Sequence, residues 1–230
     1  MTLNTELAAF KACMVDRLGP AQAEIVRAAE QEILAGNCGA GAPQVGDTAP
    51  DFSLPDQTGR VVNLYETLEK GPVILNFYRG AWCPFCMLTL RALQRQRPAA
   101  RRIPATILAI SPQDLPTTQA TADTHGISFP LLTDYRAGVG KAWSLMYELP
   151  ETMRPLYQKL GHVLPKLNGC GTWAVPITAG YVIAPDRRIV HAHLDPRVQT
   201  RMDPAEAIAI ARSCAAVPAP AQECRAGAVG

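Results

Sequence analysis

The chain has 230 residues, 48% of them apolar and 18% charged, with 22 Lys and Arg against 20 Asp and Glu for a net charge of +2. That suits one sizeable core with extensions and excludes a disordered chain, and the balanced charge, without a basic block or stripe, argues against nucleic acid as a partner. No run approaches the ~20 apolar residues of a membrane span, no secretory signal is visible, and seven cysteines do not make a disulfide scaffold in a chain this long, so a reducing cytoplasm is the expected location.

Residues 3–35 read as helix. Leu3, Leu7, Phe10 and Met14 form one apolar stripe, Gly19-Pro20 breaks it, and Ile25, Ala29 and Ile33 form a second. Two roles fit: an arm that docks on the main domain or pairs across a homodimer, or helices that cap their own domain's core. A Gly/Pro/Ala-rich linker follows, so residues 1–45 are expected to be a helical arm and linker. Gly46 to Leu64 reads as a hairpin turning at Asp56-Gln-Thr-Gly59.

The central stretch is Asn76-Phe-Tyr-Arg-Gly-Ala-Trp-Cys-Pro-Phe-Cys86. Val73 to Tyr78 is rich in β-branched and aromatic residues and predicts a buried strand. The chain turns at Gly80 and delivers the two cysteines to the start of a helix, with Pro84 at a first helical position, where its missing N–H costs nothing. That helix is read over Met87 to Gln94, with Leu88, Ala92 and Leu93 on one apolar face. Cysteines three apart lie about 4.5 Å apart along the helix axis, within reach of the roughly 5–6 Å Cα separation of a disulfide. The positive end of the helix favours thiolate over thiol. This is redox geometry. A structural zinc site is the competing reading, with His191 and His193 completing the ligands, but there is no second C-x-x-C. Inert buried thiols are a third.

Ala105 to Ile110 is an apolar run typical of a central parallel strand. Leu115 to His125 predicts a helix, Phe129 to Leu132 a short strand, and Tyr135 to Tyr147 a helix. Together these give an α/β sandwich with a mainly parallel sheet. Residues 148–175 hold repeated helix breakers, and such an insertion is expected to form a lid or a pocket wall. Gly180 to Ala184 and Arg188 to His193 form a hairpin, and Asp203-Pro204 caps a last helix. The tail from 217 to 230 is expected to be weakly ordered.

In order and wording these segments resemble a peroxiredoxin-like member of the thioredoxin superfamily, of the alkyl hydroperoxide reductase/thiol-specific antioxidant (AhpC/TSA, redoxin) family. The resemblance rests on Gly46-Asp-Thr-Ala-Pro-Asp-Phe-Ser-Leu-Pro-Asp, Ile110-Ser-Pro-Gln-Asp, Ile127-Ser-Phe-Pro-Leu-Leu-Thr-Asp134 and Gly180-Tyr-Val-Ile-Ala-Pro-Asp. It implies a thioredoxin-like fold over 46–216, a central mixed sheet flanked by helices. It also implies reduction of hydrogen peroxide or organic hydroperoxides by a Cys83–Cys86 redox pair, with thioredoxin, glutathione or a similar thiol as reductant and no cofactor or metal.

The family's P-x-x-x-T-x-x-C places Arg79 at the Pro, Cys83 at the Thr and Cys86 at the peroxidatic Cys, so only the last is retained. The family's peroxide-polarising Arg falls near Thr178, which carries no charge. Arg79 is the candidate substitute, a solvated Arg at a strand end being the other reading. Trp82-Cys83-Pro84-Phe85-Cys86 is equally similar to the W-C-x-x-C of thioredoxin, in which Cys83 attacks and Cys86 resolves. The superfamily's cis-Pro maps to Pro176, with Cys170, Thr172 and Trp173 shortly before it. A thioredoxin-like disulfide reductase and a non-catalytic redoxin-fold binding module are the alternative functions.

Overall fold

The structure, a computed structural model, describes residues 2–215; the tail expected over 217–230 and Cys224 lie outside them. At its centre is β3 (Val73–Phe77), with every residue buried, Asn76 included, which fits its mainly apolar composition. It pairs parallel with β4 (Thr106–Ser111), and β4 pairs parallel with β5 (Leu131–Thr133). On its other side β3 runs antiparallel to β8 (Gly180–Ile183), and β8 antiparallel to β9 (Ile189–His193). The sheet order is thus β5-β4-β3-β8-β9. The sheet is mixed rather than mainly parallel, because the tight turn after Ile183 folds β9 straight back onto β8.

One face of the sheet is covered by α3 (Pro84–Ala100) and α8 (Pro204–Cys214), and the other by α2 (Leu64–Leu68) and Trp143. A two-stranded hairpin, β1 (Ser53–Pro55) with β2 (Val61–Asn63), precedes the sheet where the Gly46–Leu64 stretch predicts it. α4 (Leu115–His125) begins on the Asp114 side chain, which accepts from the Thr117 N–H. α3 runs past Gln94 to Ala100; of the expected face Ala92 and Leu93 are buried and Leu88 is half-buried, while Phe85, Cys86, Met87, Thr89 and Leu90 are also enclosed.

The extra cover on α3 comes from α1 (Leu3–Ala35), bent at Gly19, where φ is 75° and ψ 163°. Its first half docks on the domain. Leu3 and Leu7 are buried and the Phe10 ring meets Phe85 edge-on at 5.2 Å. Asn4 exchanges two hydrogen bonds with the Arg201 backbone, of 3.1 and 2.8 Å. The second half turns Ala29 inward but leaves Ile25 exposed, because the left-handed Gly19 rotates the apolar face.

A helix over Tyr135–Tyr147 is not formed. Only α5 (Gly138–Ala142) is helical, started by the Asp134 carboxylate, which accepts from the Val139 and Gly140 N–H groups at 3.0 and 2.8 Å. Two glycines in five residues make a weak helix, and the chain leaves it through Ser144 at φ 52° into β6 (Met146–Glu148). β6 pairs antiparallel with β7 (Ala174–Pro176). Between them lie a 3-10 turn (Glu151–Met153), α6 (Arg154–Lys159) and α7 (Leu164–Leu167); the 3-10 turn, α6 and the loop after it form a wall of the cavity that Cys83 lines.

Candidate active site

The thiol loop begins where β3 ends. Tyr78 and Arg79 carry the chain out still buried, and Gly80 turns it at φ 145°. A Cβ on Gly80 would stand 2.8 Å from the Trp82 indole nitrogen, so glycine is required there. Gln113, from the Ser-Pro-Gln-Asp segment, clamps this turn. Its Oε1 accepts from the Ala81 N–H at 2.8 Å, and its Nε2 donates to the hydroxyls of Tyr78, Thr118 and Thr121 at 3.2–3.3 Å. Nothing in its type or spacing marks Gln113 in the sequence. Cys83 is the N-cap of α3 and Pro84 its first residue, with the Cys83 carbonyl accepting from the Cys86 and Met87 N–H groups at 3.0 and 3.1 Å.

Both thiols are reduced and buried, Cys83 at 3% and Cys86 at 0% exposure. Cys83 hydrogen-bonds to the Cys86 sulfur; that bond, burial and the neighbouring Cys86 charge push its thiol well above the usual range. Burial pushes Cys86 up as well, but is outweighed. The Cys83 hydrogen bond, the charges of Arg201 and Arg79 and the Arg79 backbone N–H bring it down. The two shifts run in opposite directions, favouring the proton on Cys83 and the negative charge on Cys86.

Arg79 and Arg201 explain where that charge is held. Arg79 is 4% exposed, which rules out the solvated reading; its Nη2 donates to Tyr147 Oη at 2.6 Å and its Nε has no partner. Arg201, between β9 and α8, is 2% exposed and lies against the Cys86 sulfur. Among the described residues neither guanidinium pairs with a carboxylate. Arg cannot shed its proton, and an unpaired buried charge costs several kcal/mol, so the Cys86 thiolate supplies the missing anion. Sequence reasoning misses Arg201, which lies in an irregular segment more than a hundred residues from the thiols; its only signal is a charge beside the capped start of α8.

Arg79, Trp82, Cys83 and Pro84 line one cavity of about 510 Å³. Trp82 packs against Tyr157 and His162 of the inserted wall, with ring centroids 5.5 and 5.3 Å away, as expected of an insertion that walls a pocket. Pro176 and Thr178 are not among the lining residues. Pro176 is trans rather than cis, because β7 holds it in extended pairing with Met146. Thr178 is buried with its hydroxyl unpartnered. Cys170 is half-buried in a loop, its sulfur 3.3 Å from Thr172 Oγ1, and Trp173 packs on Arg154; none of these three lines the cavity. The zinc reading lacks donors, since no group of three or more His, Cys, Asp or Glu is assembled among the described residues.

A mixed sheet carrying C-x-x-C at the first turn of a covering helix defines a thioredoxin-fold thiol protein. The AhpC/TSA family pattern matches residues 45–192, and the chain belongs to that family. Alkyl hydroperoxide reductase E of Mycobacterium tuberculosis is 34% identical over 106 residues, 45% of this chain and 69% of that protein. Thiol-disulfide oxidoreductase ResA of Geobacillus thermodenitrificans is 33% identical over 132 residues, 57% of this chain and 73% of that one. The crystal structure of peroxidoxin BcpB from Mycobacterium tuberculosis superposes with a TM-score of 0.57 at 24% identity, covering 74% of this chain and 97% of that one. No described helix is long and apolar enough to cross a membrane.

Proposed function

We propose that this enzyme is a thiol peroxidase in which Cys86 attacks hydroperoxides and Cys83 resolves the product. The observation that carries the reading is a pair of buried guanidiniums, Arg79 and Arg201, near Cys86 with no carboxylate paired to either among the described residues. By alignment Cys83 falls at the family's Thr, and its thiol interacts with the Cys86 sulfur.

The Cys86 thiolate attacks the terminal oxygen of the hydroperoxide and the O–O bond breaks. Arg79 and Arg201 stabilise charge on the departing oxygen. That alkoxide takes the Cys83 proton and leaves as an alcohol, with Cys86 now a sulfenic acid. The Cys83 thiolate attacks the sulfenic sulfur and expels hydroxide, which takes a proton from solvent, and the disulfide forms. Two electrons have passed from the cysteine pair to the peroxide. An external dithiol such as thioredoxin, or glutathione, returns them by exchange, entering at Cys83, the sulfur on the cavity side. No metal or organic cofactor has a part in these steps.

A second reading has one observation in its favour: Cys83 and not Cys86 lines the cavity, as in a disulfide reductase whose first cysteine attacks. Hydroperoxide consumption with dithiothreitol as reductant, set beside reduction of insulin disulfides, separates the two. Catalytic peroxide loss that vanishes in Cys86→Ser supports the peroxidase. Fast insulin reduction with sluggish peroxide loss supports the reductase.

A further inference from the structure

Nearly half of the residues that line the cavity over the thiols lie outside the family match at 45–192, most of them on α1. α1 contributes Met14, Leu18, Val26 and Ile33, and Val198 follows β9; the insertion supplies Leu156 and others opposite. We propose that α1 forms the outer wall of a substrate pocket, and that the enzyme selects organic hydroperoxides with a large apolar body over hydrogen peroxide. This rests on the peroxidase reading.

Volume and chemistry both point this way. At about 510 Å³ the cavity lies within the roughly 300–1,000 Å³ of small-molecule sites. A water takes about 30 Å³, so hydrogen peroxide would leave most of the space to solvent held against aliphatic walls. An apolar body would displace that water and bury its own surface. Arg79, Tyr147 and Cys83 meet at one end, and the Arg79 Nε there has no protein partner; of the other charged lining residues, Lys11 and Glu30 are paired with each other and Arg197 with Asp195. A hydroperoxide head fits that end and a hydrocarbon body fits the rest. Leu34 and Leu160, one from each wall, also line the cavity and are 51% and 56% exposed, giving an apolar way in. A site for hydrogen peroxide alone needs neither the length nor these walls.

Filling the pocket tests this. In the full chain, Val26→Trp narrows it from the arm and Leu156→Trp from the insertion, so a folding defect in one leaves the other; circular dichroism identifies such a defect. The first readout is binding of cumyl alcohol, the unreactive product of cumene hydroperoxide reduction, to the reduced protein by calorimetry. The second is the ratio of kcat/KM for cumene hydroperoxide to that for hydrogen peroxide. Wild type is expected to bind cumyl alcohol and to prefer cumene hydroperoxide. A folded variant should lose that binding, and its preference should fall about tenfold, mainly through KM for cumene hydroperoxide. Absent wild-type binding, or binding and preference unchanged in both folded variants, would overturn the proposal. Wild-type binding lost in the variants, with no peroxide of either kind consumed, would overturn the peroxidase reading while supporting the pocket.

Discussion

Arg79 and Tyr147, 68 residues apart in sequence, are joined by a hydrogen bond of 2.6 Å at the polar end of the cavity. The bond ties the thiol loop to β6, at the base of the inserted wall, and holds one of the two cations that face Cys86. Tyr147→Phe leaves a buried guanidinium N–H unpaired, at a cost of about 1–3 kcal/mol. Urea unfolding should show a lower midpoint, and peroxide consumption should slow by up to about tenfold. An unchanged midpoint and rate would mean that Arg79 is held by something else.

The reactive thiol should titrate low. The Cys86 pKa is lowered from 9.0 to about 6, and thiolate, the reactive form, is present above the pKa. Alkylation of the reduced protein by iodoacetamide at Cys86 should therefore rise through about pH 6 and level off well below the ordinary thiol range. Arg201→Gln removes a neighbouring cation and should move that rise to higher pH. A wild-type rise near pH 9 would contradict the assignment of the charge.

Much of this site is legible in the sequence because its local chemistry is local in sequence. Val73 to Phe77, Gly80, Pro84 and both cysteines are one continuous stretch, and the strand, turn and helix start follow from their residue types. What stays hidden depends on tertiary packing. Arg201 and Tyr147 reach the thiols from distant segments, and neither has a periodicity or motif to mark it. The cis conformation expected at Pro176 follows from the resemblance, whereas the extended β6–β7 pairing fixes it trans. The helix expected over Tyr135–Tyr147 fails because its apolar spacing serves burial of Trp143 and Leu145 on a turning chain.

Gly80→Ala should disturb the loop directly. The added methyl meets the Trp82 indole at 2.8 Å, and φ 145° strains any side chain by about 1–3 kcal/mol. A lower melting temperature with altered tryptophan emission is expected; identical emission would mean that Trp82 does not move.

Docking of α1 depends on Leu7, which is fully buried. Leu7→Ala should cost about 2–5 kcal/mol and free the arm, read as faster trypsin cleavage at Lys11 and Arg17 with the remaining domain intact. Cleavage at the wild-type rate would show that α1 is held elsewhere.

The most direct test of the account is peptide mapping by mass spectrometry after one equivalent of hydrogen peroxide, for wild type, Cys83→Ser and Cys86→Ser. The account predicts a Cys83–Cys86 disulfide in wild type and one oxygen held on Cys86, trapped by dimedone, in Cys83→Ser. In Cys86→Ser, Cys83 should stay reduced over the same interval. Rapid oxidation of Cys83 in Cys86→Ser, with an inert Cys86 in Cys83→Ser, would contradict it and make Cys83 the attacking sulfur.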